Sequence, residues 1–290
     1  MEWLEQVQSI NVDTVHGRRA PYKPLLLLWM IGRVSRGEST KVQFVDAEEP
    51  LIDLMGAYRL GETLEVGLPF VHLTSDGDLW SLFDSNGNNI SPPERRVRFL
   101  REEAVGELTP AFVHALSNQE LLNAVVSHLL QSDFPTSTHE EILEKVGLQG
   151  KVAVVRPPRD SVSSGTVLLA YEYKCAFCGF DGRLENRHVG LDAAHIRMWA
   201  KGGPDDISNR ICLCVLHHRL FDRGALSVDN NLQILVSQYF LESQNGDFSS
   251  VTKLVEQKMR PPQTGYESPA IEYLDWHREN LFRGPARLRM

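Results

Sequence analysis

All four cysteines of the chain lie in one short stretch of its second half. Cys175 and Cys178 form a Cys-x-x-Cys pair, and Cys214 and His217 form a Cys-x-x-His pair. Two such pairs commonly supply the four tetrahedral ligands of a structural zinc ion. Clustered cysteines favour a metal site over disulfides in a protein of the reducing cytoplasm. The spacing therefore predicts a structural Zn²⁺ site. Cys212 lies outside this site because no cysteine or histidine pairs with it at the same three-residue spacing.

Three further polar residues, His195, Asn209 and His218, lie within or beside this bracket of cysteines. His195 ends an apolar segment with the pattern of a strand, from which an imidazole can act as general base toward water. His218 and Asp222 are four residues apart on a predicted helix, so they share one face and could hold one divalent cation. A cation there would neutralise charge on a scissile phosphate. The stretch therefore predicts phosphodiester hydrolysis.

This stretch resembles the HNH endonuclease family, on the sequence Asp-Ala-Ala-His that ends at His195, on Asn209, and on residues 213–224. The resemblance implies a ββα-metal fold and hydrolysis of DNA to a 5′-phosphate and a 3′-hydroxyl. It assigns His195 as the general base and Asn209 as the residue that orients the base and its loop. It also assigns His218 as a ligand of a catalytic cation, Mg²⁺, Mn²⁺ or a similar divalent ion.

The sequence departs from the family pattern at Ala194, where many members carry a metal-ligating acid. Asp192 lies three positions before His195, and in an extended strand the two side chains face opposite ways. Asp222 is therefore the expected substitute ligand beside His218.

Composition and charge indicate two ordinary globular domains. The chain has 290 residues and a net charge of −8. Residues 1–150 contain 12 Lys and Arg against 22 Asp and Glu, and residues 151–290 contain 18 against 16. The second half therefore has the charge balance that repels the DNA backbone less. A Pro-Pro and serine-rich segment at 148–164 places the boundary, giving domains 1–155 and 156–290. The acidic first residues lack the features of a secretory signal, and we expect a cytoplasmic protein.

The expected fold class is α+β: a mixed α/β recognition domain followed by the ββα-metal domain. Periodicity and capping signals predict helices and a hairpin. The predicted helices cover residues 2–9, 21–36, 47–59, 117–131, 138–146 and 270–282. A β-hairpin is predicted over 68–83 and a further strand over 231–237. The capping box of the helix over 117–131 is assigned to Ser117 and Glu120.

Positive charge in the first half is concentrated at two places. Arg18 and Arg19 precede a buried helix, and Arg95 and Arg96 open a run of four arginines after a loop. Arginines beside a helix N-terminus suit phosphate contacts. Both groups are therefore candidates for the DNA backbone, although either could simply solvate an acidic surface.

The first half also resembles the sulfur-binding domain of McrA-like, modification-dependent (type IV) restriction enzymes. The resemblance lies in residues 17–28, GRRAPYKPLLLL, and in the Leu-Pro-Phe sequence at 68–70. Such domains bind DNA in which sulfur replaces a non-bridging backbone oxygen. The resemblance implies that the DNA-binding residues are His16, Arg18, Arg19, Pro69, His72 and either Arg95 or Arg96.

The leading hypothesis is a restriction endonuclease that binds phosphorothioate-modified double-stranded DNA and cuts nearby, as a homodimer since two cuts need two sites. One alternative keeps the nuclease but reads methylated or unmodified DNA. Another is a non-catalytic DNA-binding protein that is stabilised by a structural zinc ion. None of them involves a membrane.

Overall fold

A computed structural model describes residues 2–15, 18–59, 63–90, 97–154, 163–243 and 251–288. The chain divides into two compact units, Met1–Pro157 and Pro158–Met290. No helix in these ranges is both long enough and apolar enough to cross a membrane.

Unit 1 is mainly helical, and its described residues also form a three-stranded sheet and a separate two-stranded pair. Its α-helices are α1 (Glu2–Gln8), α2 (Tyr22–Ser35), α3 (Phe44–Gly56), α4 (Gly67–His72), α5 (Val97–Glu103), α6 (Pro110–Ala115), α7 (Gln119–Asp133) and α8 (His139–Val146). Its strands are β1 (Thr14–Val15), β2 (Arg18–Arg19), β3 (Lys41–Gln43), β4 (Trp80–Phe83) and β5 (Val105–Leu108). The strands β3, β5 and β4 form an antiparallel sheet in that order, and β1 pairs with β2.

Helix α2 is the centre of this unit. Every residue from Lys23 to Gly32 is buried, which fits a sequence that is apolar almost all round. Pro24 lies in the first turn, where its missing N–H has no helical acceptor to lose. The helix ends at Ser35, and Gly37 takes the left-handed conformation that follows many helix ends. The predicted buried helix over 21–36 is therefore confirmed.

The predicted hairpin over 68–83 is wrong in its first arm. Residues 67–72 form helix α4, a 3₁₀ turn continues over Leu73–Ser75, and only β4 is extended. Pro69 is the third residue of α4, a position that a helix tolerates. Phe70 and Val71 are adjacent and both buried, as one wide helix face allows and strand alternation does not. The partner of β4 is β5, which the sequence pattern did not reveal.

Gly106 in β5 explains how α4 packs on the sheet. A Cβ at this position would lie 2.0 Å from the ring of Trp80 and 2.7 Å from the ring of Phe70. The indole N–H of Trp80 donates to the Phe70 carbonyl at 2.9 Å. The glycine therefore leaves the space that α4 needs to pack against the sheet.

Other helix predictions differ from the structure in detail. Helix α3 begins at Phe44 rather than at residue 47. The N-cap of α7 is Asn118, whose side chain accepts from the backbone N–H groups of Glu120 and Leu121, so the assignment of Ser117 is wrong. Helix α8 ends at Val146 and is followed by Gly147 in the left-handed conformation, as predicted.

Unit 2 is built on a strand pair followed directly by a helix. Its helices and strands are α9 (Ser164–Ala170), β6 (Arg183–Leu184), β7 (Arg187–His188), β8 (Leu191–His195), β9 (Arg210–Cys214), α10 (Val215–Asp222), β10 (Leu226–Val228), β11 (Ile234–Val236) and α11 (Ile271–Asn280). The strands β8 and β9 are antiparallel, with Leu191 opposite Cys214 and His195 opposite Arg210. This β8–β9–α10 unit is the ββα arrangement, and the expected α+β class is confirmed. The strand predicted over 231–237 is shorter, and helix α11 lies within the range 270–282.

Candidate functional site: a cysteine cluster and two histidine groups

The two cysteine pairs meet at one point of unit 2. One ligand atom from each of Cys175, Cys178, Cys214 and His217 lies within 4.8 Å of all the others. His217 Nδ1 is 3.2 Å from Cys214 Sγ and 3.5 Å from Cys175 Sγ. Zinc bonds of about 2.0 Å to nitrogen and about 2.3 Å to sulfur, at tetrahedral angles, separate such donors by about 3.5 Å. The four residues could therefore hold a metal ion.

The local backbone explains why these residues converge. Gly179 takes φ +76° and its N–H donates to the Cys175 carbonyl at 2.8 Å, which closes a tight turn around the first pair. Cys214 ends β9 and His217 lies in the first turn of α10, so the strand–helix junction presents the second pair.

The chemistry of the thiols separates Cys175 from Cys212. Hydrogen bonds from Cys178 and Cys214 lower the pKa of Cys175, which favours the thiolate that a metal ion binds. Burial, followed by the charge on Cys175, raises the pKa of Cys212 to about 12. Cys212 is not among the donor atoms that converge at the cluster in the part of the chain that the structure describes, so its place outside the predicted zinc site agrees with the geometry.

His218 lies between two carboxylates. Its Nδ1 is 3.0 Å from Asp192 Oδ2, and its Nε2 is 3.3 Å from Asp222 Oδ2. The two ring nitrogens point away from each other. A cation bound to one nitrogen can therefore be coordinated by only one of the two carboxylates. The Asp222 side chain is 7% exposed, whereas that of Asp192 is 46% exposed. Sequence reasoning missed Asp192 because it compared this residue with His195, on the same strand, and not with His218 on the following helix.

Electrostatics at His218 favour the charged ring in the metal-free protein. Burial disfavours the imidazolium, but hydrogen bonds to Asp192 and Asp222 outweigh it and raise the pKa of His218 to about 9. The hydrogen bond with His218 is also the main cause of the lowered pKa of Asp192. A cation that binds this imidazole must therefore displace a proton.

His195 belongs to a different group of side chains, at the far end of β8. Its Nε2 is 2.6 Å from Asp205 Oδ1, and the guanidinium of Arg210 contacts the same carboxylate oxygen. Arg210 and Asp205 are both buried, while the His195 side chain is 25% exposed. Asp192 and His195 are three strand residues apart, or about 10 Å.

Asn209 is fully buried and holds the loop that connects β8 to β9. Its side-chain oxygen accepts from the Arg197 N–H at 2.8 Å, and its Nδ2 donates to the carbonyls of Arg197 and Pro204 at 3.0 and 2.8 Å. A Cβ at Gly203 would lie 2.0 Å from the Arg197 carbonyl oxygen, so this fold of the loop requires a glycine there. Asn209 thus acts on the shape of the loop.

Only some of the DNA-binding residues predicted in unit 1 can be placed. His16, Arg95 and Arg96 lie outside the described residues, as does the side chain of Arg18. Arg19 is half exposed, and its Nε is 3.0 Å from Asp133 Oδ1. Pro69 is buried in α4, the helix that forms in place of the first arm of the predicted hairpin. His72 is partly exposed at the end of the same helix.

Leu68 and His72 share one face of α4 and line a cavity of about 430 Å³. Lys23, Ser75 and Asp76 are among its other walls. Leu68 is the apolar residue of its lining, and the other lining side chains are polar or charged.

Comparison with known families assigns the first unit. Residues 1–151, about half of the chain, match the model of the ScoMcrA-like DNA sulfur-binding domain. The chain belongs to this sulfur-binding family. Residues 175–229 of the same protein match the model of the HNH endonuclease, and this range contains both the cysteine cluster and the two histidine groups. The chain thus combines a DNA sulfur-binding domain with an HNH endonuclease domain.

Several solved structures are similar to parts of this sulfur-binding family member. The sulfur-binding domain of ScoMcrA in complex with phosphorothioated DNA is 22% identical, covers 52% of this chain and 98% of its own, and has a TM-score of 0.44. The corresponding domain of SprMcrA, also with phosphorothioated DNA, is 26% identical, with coverages of 51% and 93% and a TM-score of 0.43. The modification-dependent restriction endonuclease TagI is 24% identical, with coverages of 45% and 41% and a TM-score of 0.34. No curated protein gave a significant match.

Proposed function

We propose that this protein is a restriction endonuclease that binds phosphorothioate-modified double-stranded DNA through unit 1 and hydrolyses a phosphodiester bond near it through unit 2. The observation that carries the proposal is the presence, in one chain, of the sulfur-binding family match and the HNH endonuclease match. Sulfur is larger, softer and less hydrated than oxygen, and the wall of the α4 cavity formed by Leu68 offers it an apolar surface.

The chemistry of unit 2 is assigned to separate residues. Cys175, Cys178, Cys214 and His217 hold Zn²⁺ as a structural ion, because soft thiolates at this spacing suit it. A second divalent cation, Mg²⁺ or Mn²⁺, would stabilise negative charge on the reacting phosphate. His218 Nδ1 and the more exposed Asp192 would hold it. The buried Asp222 would then accept the Nε2–H of His218 and orient the ring, as outer carboxylates do for metal-bound histidines.

His195 is the general base of the proposed reaction. It accepts a proton from water as the water oxygen attacks phosphorus and the P–O3′ bond breaks. The products are a 5′-phosphate and a 3′-hydroxyl. Because a single site of this kind cuts one strand, we propose a homodimer for double-strand cleavage.

Two measurements test this function. Gel shifts on matched duplexes, with and without one backbone sulfur, should show tighter binding of the sulfur-bearing duplex. Equal affinity would instead favour a nuclease that recognises methylated or unmodified DNA. His195→Ala should keep that binding and lose cleavage. Cleavage at the wild-type rate by His195→Ala would remove His195 from the mechanism.

A non-catalytic, zinc-stapled protein would bind DNA but leave it intact with every divalent cation. Sedimentation of the protein with and without DNA tests the homodimer.

A further inference from the structure

The second nitrogen of His195 has a defined partner, and this partner is neither Asn209 nor a metal ligand. His195 Nε2 is 2.6 Å from Asp205 Oδ1, a distance that requires one hydrogen between the two atoms. The donor could in principle be the imidazole or a protonated carboxyl group. Which of them carries the hydrogen decides which nitrogen of His195 is left to act as a base.

Arg210 decides this question. It is buried, it lies directly opposite His195 in the β8–β9 pair, and its guanidinium contacts the same oxygen of Asp205. An adjacent guanidinium, which is always charged, strongly favours the ionised carboxylate. An ionised carboxylate only accepts hydrogen bonds, so the hydrogen must be on His195 Nε2. Arg210 Nη2 is 3.2 Å from Nε2, as expected for two donors that share one acceptor.

We propose that Asp205 is a positioning residue that holds His195 in the Nε2–H tautomer and leaves Nδ1 to accept the proton of water. This inference rests on the proposed role of His195 as general base. The carboxylate also stabilises the imidazolium that forms when the base takes its proton. Arg210 keeps Asp205 ionised and in place.

The loop held by Asn209 delivers Asp205 to this position. Asn209 bonds Arg197 at one end of the loop and Pro204 next to Asp205 at the other. Asn209 is fully buried and therefore influences His195 indirectly, by holding the loop that positions Asp205.

The kinetic test uses full-length protein on plasmid DNA carrying phosphorothioate groups, with Mn²⁺. Asp205→Asn keeps the size of the side chain and an acceptor for Arg210, so it should fold. It is expected to lower kcat by about 10²-fold or more with KM little changed. Asp205→Glu should recover part of that loss because it restores the carboxylate.

Asp206→Asn is the matched control, since it removes the same charge from an exposed neighbour in the same loop. It should cleave at the wild-type rate. A kcat of Asp205→Asn equal to that of wild type would overturn the proposal, as would an equal loss in Asp206→Asn, since a general effect of loop charge would then explain both.

A second readout does not depend on cleavage. Long-range ¹H–¹⁵N spectra of the histidine-labelled protein, with His195 assigned from His195→Gln, report which ring nitrogen carries the hydrogen. We expect Nε2–H in the wild type. A proton on Nδ1 would overturn the proposal even if no DNA were cut, whereas an inactive wild type with Nε2–H would count against the nuclease function and not against the role of Asp205.

Discussion

The ammonium group of Lys23 lies 2.6 Å from a carboxylate oxygen of Asp76, and both side chains are buried. Lys23 is in the first turn of α2, and Asp76 follows the 3₁₀ turn after α4. The other oxygen of Asp76 accepts from the Asn11 N–H at 3.2 Å. One ion pair therefore joins three segments of unit 1 at the wall of the cavity that Leu68 and His72 also line.

Asp76→Leu should destabilise the protein by about 3 kcal/mol, because it leaves the Lys23 charge buried without a partner. The double variant Lys23→Met/Asp76→Leu should lose much less, since no uncompensated charge remains. Urea denaturation of the full chain measures both. The exposed pair Lys145–Asp53, at 3.1 Å, is the control, and Asp53→Ala should cost less than about 1 kcal/mol. Equal losses in the single and double variants would contradict this account.

Removal of the proposed structural zinc should unfold unit 2 and leave unit 1 folded. Four ligands from two distant parts of the sequence meet at the cluster, so the energy of metal binding is also folding energy of the unit. Chelator treatment or Cys178→Ser should lower the unfolding temperature of the second transition in calorimetry. Cys212→Ala provides the control, because this buried thiol lies outside the cluster. A zinc content unchanged by Cys178→Ser would contradict the assignment.

The sequence was most informative where local chemistry decides structure. The spacing of Cys175, Cys178, Cys214 and His217 predicted a grouping that the structure brings together. The uninterrupted apolar run in α2 predicted a buried helix, and it is buried. The apolar run and each of the two ligand pairs are patterns among near neighbours in the chain, and the regular spacing of both pairs predicted that they meet.

The failures have a common cause in contacts between distant residues. The segment at 68–72 is a short apolar run before a turn and was predicted to be a strand, but Gly106 in β5 provides the space for a helix there. Asp192 was not predicted as a metal ligand because its side chain faces away from His195 on the same strand. Its partner is instead His218, 26 residues away. Asp205 lies in the loop between β8 and β9, and its contacts with His195 and Arg210 depend on a strand pairing that places these two residues opposite each other.

Asp192 and Asp222 should differ in their effect on the catalytic cation. His218→Ala and Asp192→Asn each remove a proposed ligand, and Mn²⁺ binding to the zinc-loaded protein should be lost. Asp222→Asn removes only the outer acceptor of His218 Nε2 and should weaken the binding by about 10- to 100-fold. Electron paramagnetic resonance titration of free Mn²⁺ measures each affinity. A stronger effect of Asp222→Asn than of Asp192→Asn would reverse the two roles.

Binding of modified DNA should separate backbone contacts from sulfur recognition. Arg19 is half exposed, and a DNA phosphate can replace its carboxylate partner Asp133. Arg19→Ala should weaken binding to sulfur-bearing and ordinary duplexes by the same factor and reduce the salt dependence by about one counterion. Leu68→Asn should instead lower the preference for the sulfur-bearing duplex, because it removes apolar surface from the α4 cavity. Lys145→Ala is the control, since it removes one positive charge of unit 1 that lies outside both basic groups. A change in sulfur preference caused by Arg19→Ala, with none from Leu68→Asn, would place the sulfur away from this cavity.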